Sequence, residues 1–195
     1  MLGGSLAPPA LAVGVHADAL APLLLPEDLR LSPEQFAVVC AANPQAVLEL
    51  TADGQLIHMT PTGGETGCRN TRLLVRLPDG SVLSPEASLL RQERWEALSP
   101  QERRGFPPLC PDLVVELASA SDEGPRGLTA LRQKMATYQA NGAQLGWLLI
   151  PHQEAVEIWP AAGQGEPQTI NSANQLDAGP LFPGLRLELD AIWHV

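Results

Sequence analysis

Glu116 is a carboxylate in the middle of an apolar run. It lies among Leu113, Val114, Val115 and Leu117, a pattern typical of a central strand in a covered sheet. A charged carboxylate in such a place costs on the order of several kcal/mol unless it is protonated, paired or bound to a metal. The alternative is that the strand lies at an edge of the sheet and that Glu116 faces water.

Lys134 is the only lysine among the 12 basic residues of the chain. This exception indicates a position that requires a compact ammonium and does not accept a wide guanidinium. Lys134 lies three residues after Leu131 and four before Tyr138, so it borders the buried face of a predicted helix. The alternative is that Lys134 is a lysine retained by chance, whose stem covers apolar surface while its ammonium reaches water.

Two further carboxylates lie on predicted strands. Glu86 follows Pro85, and Glu49 lies near the end of the first strand. Either alone is more often a solvated strand residue. Together with Glu116 they place three carboxylates on three strands, with Lys134 on a helix packed over them. Converging carboxylates suit Mg²⁺, and the lysine can orient a water or stabilise negative charge on a phosphate.

Local patterns predict the elements that must position these residues. Ser32, Pro33 and Gln35 predict a capped helix that continues to about residue 42, and Asp53-Gly54 predicts a hairpin between two β-type runs. Residues 69–75 are compatible with a helix or a strand. The other predicted elements are strands over 81–90, 112–118, 145–150, 155–159 and 185–189, a helix over 128–141 and a polar loop over 163–179. Their order predicts an α/β (α+β) fold with a mixed central sheet flanked by helices.

Composition excludes several classes of protein. The net charge of −10 argues against a generic basic nucleic-acid binder, although a local basic groove remains open. Three separated cysteines without a C-x-x-C motif argue against a disulfide framework and fit a cytoplasmic location. Residues 1–25 are mostly apolar, but their prolines and the lack of Lys or Arg before Arg30 argue against a signal peptide or membrane span. We therefore expect a flexible arm over 1–30, one domain over 31–195 and no membrane partner.

Five longer motifs are distributed along the chain. They are the segments 48–50 (LEL), 111–116 (PDLVVE), 131–142 (LxxKxxxYxxxG), 145–150 (LGWLLI) and 180–185 (PxFPGL). Together with the 60–70 segment they resemble the bacterial Uma-type restriction-endonuclease family, a branch of the PD-(D/E)XK nuclease superfamily. The similarity covers about residues 31 to 193.

The resemblance implies a restriction-endonuclease-like fold with a divalent metal at its centre. The family carries an aspartate after proline where this chain has Glu86, and its second-strand acid corresponds to Glu116. The resemblance thus implies that Glu86 and Glu116 bind Mg²⁺ (or Mn²⁺), that Lys134 positions the water or the scissile phosphate, and that Glu49 assists. The lysine expected two residues after the second acid is replaced by Ala118.

These observations lead to an expected function and one alternative. The expected function is a Mg²⁺-dependent endonuclease that hydrolyses DNA phosphodiester bonds, with an arginine-lined groove and a homodimer as the assembly. The alternative is a catalytically inactive nuclease-fold module that serves self-association or partner binding. Two departures from the family favour this alternative, namely the longer side chain of Glu86 and a shortened segment over 72–77, which would leave a sheet edge uncovered.

Overall fold

The computed structural model describes residues 28–43, 46–59, 74–119, 122 and 125–194. Its strands form three sheets, of four, two and five strands. The helices are α1 (Pro33–Ala42), α2 (Gln92–Glu96), α3 (Pro125–Ala140) and α4 (Asp190–Trp193). The strands are β1 (Val47–Leu50), β2 (Leu56–Met59), β3 (Val75–Arg76), β4 (Val82–Leu83), β5 (Ala87–Leu89), β6 (Leu113–Leu117), β7 (Leu145–Ile150), β8 (Ala155–Pro160), β9 (Gln168–Asn171), β10 (Gln175–Asp177) and β11 (Arg186–Glu188).

The four-stranded sheet is built on the predicted hairpin. Its order is β2-β1-β4-β3, and all its neighbouring strands are antiparallel. The predicted capping box is confirmed, because Ser32 and Gln35 exchange side-chain to backbone hydrogen bonds at the start of α1. Phe36 of α1 packs with Leu48 and Leu50 of β1. The helix therefore covers one face of this sheet.

The five-stranded sheet confirms the predicted mixed central sheet. Its order is β5-β6-β7-β8-β9, with β6 and β7 parallel and every other pair antiparallel. A parallel pair needs a crossover connection, and α3 supplies it between β6 and β7. This strand–helix–strand unit carries two of the candidate residues, Glu116 and Lys134.

Helix α3 lies close against one face of the five-stranded sheet. Gly146 of β7 makes this approach possible, since a Cβ there would stand 2.4 Å from Met135 Cε and 3.2 Å from Trp159 Cβ. The core under the helix includes the side chains of Leu128, Leu131, Met135, Tyr138, Val114 and Leu148. The opposite face of the sheet packs against residues of β10, β11 and α4. The sheet is thus covered on both faces, which explains the continuous apolar runs of β6 and β7.

Two predicted elements were wrong. The strand expected over 81–90 is two strands, β4 and β5, which belong to different sheets. The break falls at Ser84 and Pro85, because proline has no N–H to donate to a ladder. The loop expected over 163–179 contains β9 and β10. Every residue of β9 is exposed, so its sequence has no hydrophobic alternation that would indicate a strand.

Some predictions fall outside the described residues. These are the arm over most of 1–30, the motif over 60–70 and the first part of the shortened 72–77 segment. The division into an arm and one domain over 31–195 stays a prediction. Among the helices that the structure describes, none combines the length and the apolar character needed to cross a membrane.

Candidate active site

Strand β1 buries a carboxylate on the face that α1 does not cover. Leu48 and Leu50 pack in the core beneath α1, and side chains alternate along a strand, so Glu49 points to the opposite face. Its side chain is only 3% exposed. Glu49 Oε1 accepts a hydrogen bond of 2.8 Å from the backbone N–H of Ser84. Glu49 is thereby tied to the segment between β4 and β5.

Strand β6 buries a second carboxylate beneath α3. Val114 and Ala118 belong to the core that α3 covers, so Glu116, between them in the same alternation, faces the helix as well. Its side chain is 2% exposed. The alternative of an edge position facing water is therefore wrong.

Lys134 reaches from α3 into the space between these two carboxylates. Its Nζ lies 2.8 Å from Glu49 Oε1 and 2.9 Å from Glu116 Oε1, and it donates a hydrogen bond of 2.9 Å to the backbone carbonyl of Ser84. The side chain is 10% exposed, which excludes the alternative of an ammonium that reaches water. The structure thus brings together three of the four predicted residues, from β1, β6 and α3.

Glu86, the fourth predicted residue, lies beside this cluster. The pairing of β5 with β6 sets Ala87 opposite Val115, so the next position of the same register sets Glu86 opposite Glu116. The side chain of Glu86 is exposed. Burial raises the pKa of Glu116 most, and the charge of Glu86 adds to that rise. The role of Glu86 as a metal ligand stays a prediction.

The cluster holds two carboxylates against one ammonium. Burial raises the pKa of Glu116 to about 7; the charge of Glu49 acts in the same direction, whereas Lys134 opposes it. Burial lowers the pKa of Lys134, but the charges of Glu116 and Glu49 outweigh burial, so that its pKa is raised. Lys134 therefore keeps its proton near neutral pH, while Glu116 is close to half protonated.

Two buried oxygens of the cluster lack a hydrogen-bond partner. Across the described part of the chain, nothing donates an aligned hydrogen bond to Glu116 Oε1, and Tyr138 Oη has no partner either. Lys134 Nζ lies 2.9 Å from Glu116 Oε1, but this contact is not an aligned hydrogen bond, unlike the one to Ser84 O. A buried acceptor without a donor is costly, and a hard carboxylate oxygen is a ligand that Mg²⁺ accepts. The residues present therefore fit a divalent cation.

Side chains alone do not complete such a site. In the described ranges, no three Asp, Glu, His or Cys side chains are close enough together to hold a metal ion. Mg²⁺ usually keeps several waters and takes only one or two carboxylates. Backbone carbonyls and water would therefore have to supply the remaining ligands.

The chain matches a known family of proteins. Residues 68–190, more than half of the 195-residue chain, match the Uma2 family, described as "Putative restriction endonuclease". The chain belongs to the Uma2 family. The matched stretch contains Glu86, Glu116 and Lys134, whereas Glu49 precedes it. The Uma-type resemblance is confirmed.

A solved structure shares the Uma2 chain's fold. It is described as "a putative nuclease belonging to DUF820 from Anabaena variabilis ATCC 29413". The match has a TM-score of 0.57 and 19% sequence identity, and it covers 84% of this chain and 97% of that chain. At this identity the comparison establishes the fold alone. No curated protein matches the Uma2 chain.

Sequence reasoning missed a second ion pair with a buried carboxylate in the Uma2 chain. Glu157 on β8 accepts hydrogen bonds from Arg132 Nε at 2.8 Å and Arg132 Nη2 at 2.6 Å. Glu157 lies in the apolar run of β8, between Val156 and Ile158, as Glu116 does in β6. The same signal that identified Glu116 could therefore have found it.

A fourth buried carboxylate connects α2 to the sheet. Asp112, fully buried, accepts the backbone N–H of Arg91 at 2.9 Å and lies 2.8 Å from Arg94 Nη1. Its position directly before β6 was visible in the sequence, but the partners 18 and 21 residues earlier were not. This contact fixes α2 against the start of β6 and is remote in sequence from Lys134.

Proposed function

We propose that this Uma2 chain is a Mg²⁺- or Mn²⁺-dependent endonuclease that hydrolyses DNA phosphodiester bonds. The observation that carries the proposal is the Lys134 ammonium held between two buried carboxylates, Glu49 and Glu116, from two different sheets. Buried charge of this kind is costly for stability, so its presence favours a role in chemistry. The family description supports nuclease chemistry in particular.

Glu86 and Glu116 are the proposed metal ligands, and Glu49 assists at the metal or through its contact with Lys134. Glu116 supplies a buried oxygen without an aligned donor, and Glu86 supplies an exposed carboxylate at the neighbouring register position. A divalent ion bound there would polarise the phosphate and lower the pKa of a bound water. The extra methylene of Glu86, relative to the family's aspartate, lengthens its reach toward that ion.

Lys134 acts in this proposal as a permanent positive charge. Its raised pKa keeps the ammonium protonated near neutral pH, so it does not serve as a general base. An ammonium at this place stabilises negative charge that develops on the phosphate or orients the attacking water. In the structure its Nζ lies 2.9 Å from Ser84 O and 2.8 Å from Glu49 Oε1.

DNA is the proposed partner and a cytoplasmic homodimer the proposed assembly. A net charge of −10 opposes binding along the whole surface, so the arginines must be concentrated in one groove. Arginines occur close together in sequence around α2, at positions 91, 94, 103 and 104. A second copy would double this set. Light scattering at high protein concentration should report a dimer, and a monomer would contradict this part of the proposal.

The test is cleavage of supercoiled plasmid with Mg²⁺ or Mn²⁺ by the wild type and by Lys134→Arg. The substitution keeps the positive charge but brings a wider, planar group into a space bounded by three oxygens. We expect a loss of about 10²-fold or more in rate, the usual scale for one transition-state charge stabiliser. Thermal unfolding of both proteins checks that the variant is folded at the temperature at which the rates are compared.

Arg126→Lys is the matched control, because Arg126 is an exposed residue of the same helix. Arg132 does not serve, since its guanidinium makes two hydrogen bonds to Glu157. Cleavage by Lys134→Arg at the wild-type rate would remove Lys134 from the mechanism. A wild type that cuts no DNA with either metal would favour the catalytically inactive module instead.

A further inference from the structure

The Lys134 ammonium lies among oxygens of the kind that bind metal ions. Three oxygens surround its Nζ: Glu49 Oε1 at 2.8 Å, Glu116 Oε1 at 2.9 Å and Ser84 O at 2.9 Å. Carboxylate and carbonyl oxygens are the ligands that Mg²⁺ and Mn²⁺ prefer. The ammonium is therefore a tethered cation inside a set of metal-type ligands.

A single ammonium serves this set of ligands poorly. Two buried carboxylates share one ammonium, so their charges balance only while one of the carboxylates keeps a proton. Lys134 gives its hydrogen bond to Ser84 O and leaves Glu116 Oε1 without an aligned donor. A divalent ion would balance both carboxylates and contact both without the angular demands of a hydrogen bond.

We propose that a divalent cation displaces the Lys134 ammonium and binds Glu49, Glu116 and the Ser84 carbonyl. This inference rests on the proposed metal-dependent function and deepens it, because it adds Glu49 and Ser84 to the ligand set. The displaced ammonium lies on a flexible four-carbon stem. It leaves toward the exposed side of the cluster, where a substrate phosphate can meet it. Metal loading and placement of the lysine are then one event.

The sequence offers a direct readout, since Lys134 is the only lysine. The wild-type protein is treated with an amine-acylating reagent in two parallel samples, one containing Mn²⁺ and the other NaCl at the same ionic strength. Peptide mass spectrometry measures the rate at which Lys134 is modified in each sample. Displacement should raise its acylation rate about tenfold or more, the factor that corresponds to one lost charge-assisted hydrogen bond. The N-terminal amine, mapped on a separate peptide, is the internal control.

A pair of variants tests the same exchange through stability. Lys134→Met keeps the apolar stem and removes the ammonium, so it leaves two buried carboxylates without a cation and should lower the melting temperature. Mn²⁺ should restore most of that loss and bind about tenfold more tightly than to the wild type, because no lysine has to be displaced. Arg132→Met is the matched control, because it also removes the basic partner of a carboxylate, Glu157, beneath the same helix. Mn²⁺ should not restore it.

The outcomes are separable from DNA cleavage. Mn²⁺-accelerated acylation of Lys134, with or without nuclease activity, supports the exchange. A Mn²⁺-induced rise in melting temperature with unchanged acylation overturns it, because the metal then binds without moving the lysine. The absence of any Mn²⁺ effect on wild type and on Lys134→Met overturns it as well. If Lys134→Met does not fold, the acylation experiment on the wild type still decides.

Discussion

Two buried carboxylates lie beneath α3 in one row of the five-stranded sheet. Strand register sets Glu116 opposite Leu148, and Leu148 opposite Glu157. Each carboxylate meets a basic residue of α3, and the two basic residues, Lys134 and Arg132, are two positions apart. The two sites therefore share a sheet, a helix and a residue type, and yet they differ in geometry.

The two sites differ in how completely each carboxylate is neutralised and hydrogen-bonded. Arg132 donates two hydrogen bonds to Glu157 Oε1, one positive charge meets one negative charge, and the arginine side chain is 47% exposed. Lys134 faces two carboxylates at 10% exposure and leaves Glu116 Oε1 without an aligned donor. A satisfied pair of this kind supports structure. An unsatisfied buried cluster raises the free energy of the folded state and is typical of a functional site.

The largest effect is expected for Glu116, whose substitution should reduce DNA cleavage far more than the same substitution of Glu157. Glu116→Gln should reduce metal-dependent DNA cleavage by about 10²-fold or more and abolish the rise in melting temperature caused by Mn²⁺. The reason is that the amide removes the charge that a metal requires. Plasmid cleavage and thermal unfolding with and without Mn²⁺ measure the two effects.

Glu157→Gln is the matched control for that experiment. This substitution removes the same charge from the same row of the sheet. Arg132, the partner of Glu157, is half exposed, so its guanidinium can turn to water. We expect cleavage and the Mn²⁺ effect to remain close to wild type. A loss in Glu157→Gln as large as in Glu116→Gln would show that the two sites are not functionally different.

The next effect concerns pH. Burial raises the pKa of Glu116 from 4.5 to about 7, so the folded protein holds this proton more tightly than the unfolded chain does. Stability from this group is fully present below pH 4.5 and is lost as the pH rises through about 7. The loss is on the order of 3 kcal/mol. Denaturant unfolding of the metal-free protein from pH 5 to 8 measures it, and Glu116→Gln should remove most of the slope. If the free energy of unfolding depends on pH as steeply in the variant as in the wild type, another titrating group is responsible for the dependence.

Local sequence signals were enough to predict three residues of the buried cluster, but not the contacts among them. Lys134 was found because it is the only lysine and borders the apolar spacing of Leu131 and Tyr138, and Glu116 because it interrupts an apolar run. The meeting of Glu49 with Lys134 depends on how the four-stranded sheet lies against α3. That arrangement is set by packing between residues 85 positions apart, for which a single sequence has no periodic signal.

The break at Pro85 illustrates the same limit. The proline predicted an edge or a bulge, but the sequence could not indicate that β4 and β5 belong to different sheets. That switch places Ser84 between the sheets, where its N–H binds Glu49 and its carbonyl binds Lys134. Backbone groups carry no sequence signature, so a site that uses them is only partly predictable.

The smallest expected effect tests whether Tyr138 belongs to the unsatisfied cluster. Tyr138 lies one helical turn after Lys134, is fully buried, and its hydroxyl has no hydrogen-bond partner in the described residues. Tyr138→Phe keeps the ring and removes a buried polar atom, so the free energy of unfolding should rise by about 1 kcal/mol in denaturant titration. The same change in the Glu116→Gln background should have an equal effect, because an unpaired hydroxyl has no coupling to lose. A fall in stability that disappears in the Glu116→Gln background would mean instead that the hydroxyl donates to Glu116. Tyr138 would then belong with Glu49 and Lys134 among the groups that hold this carboxylate in place.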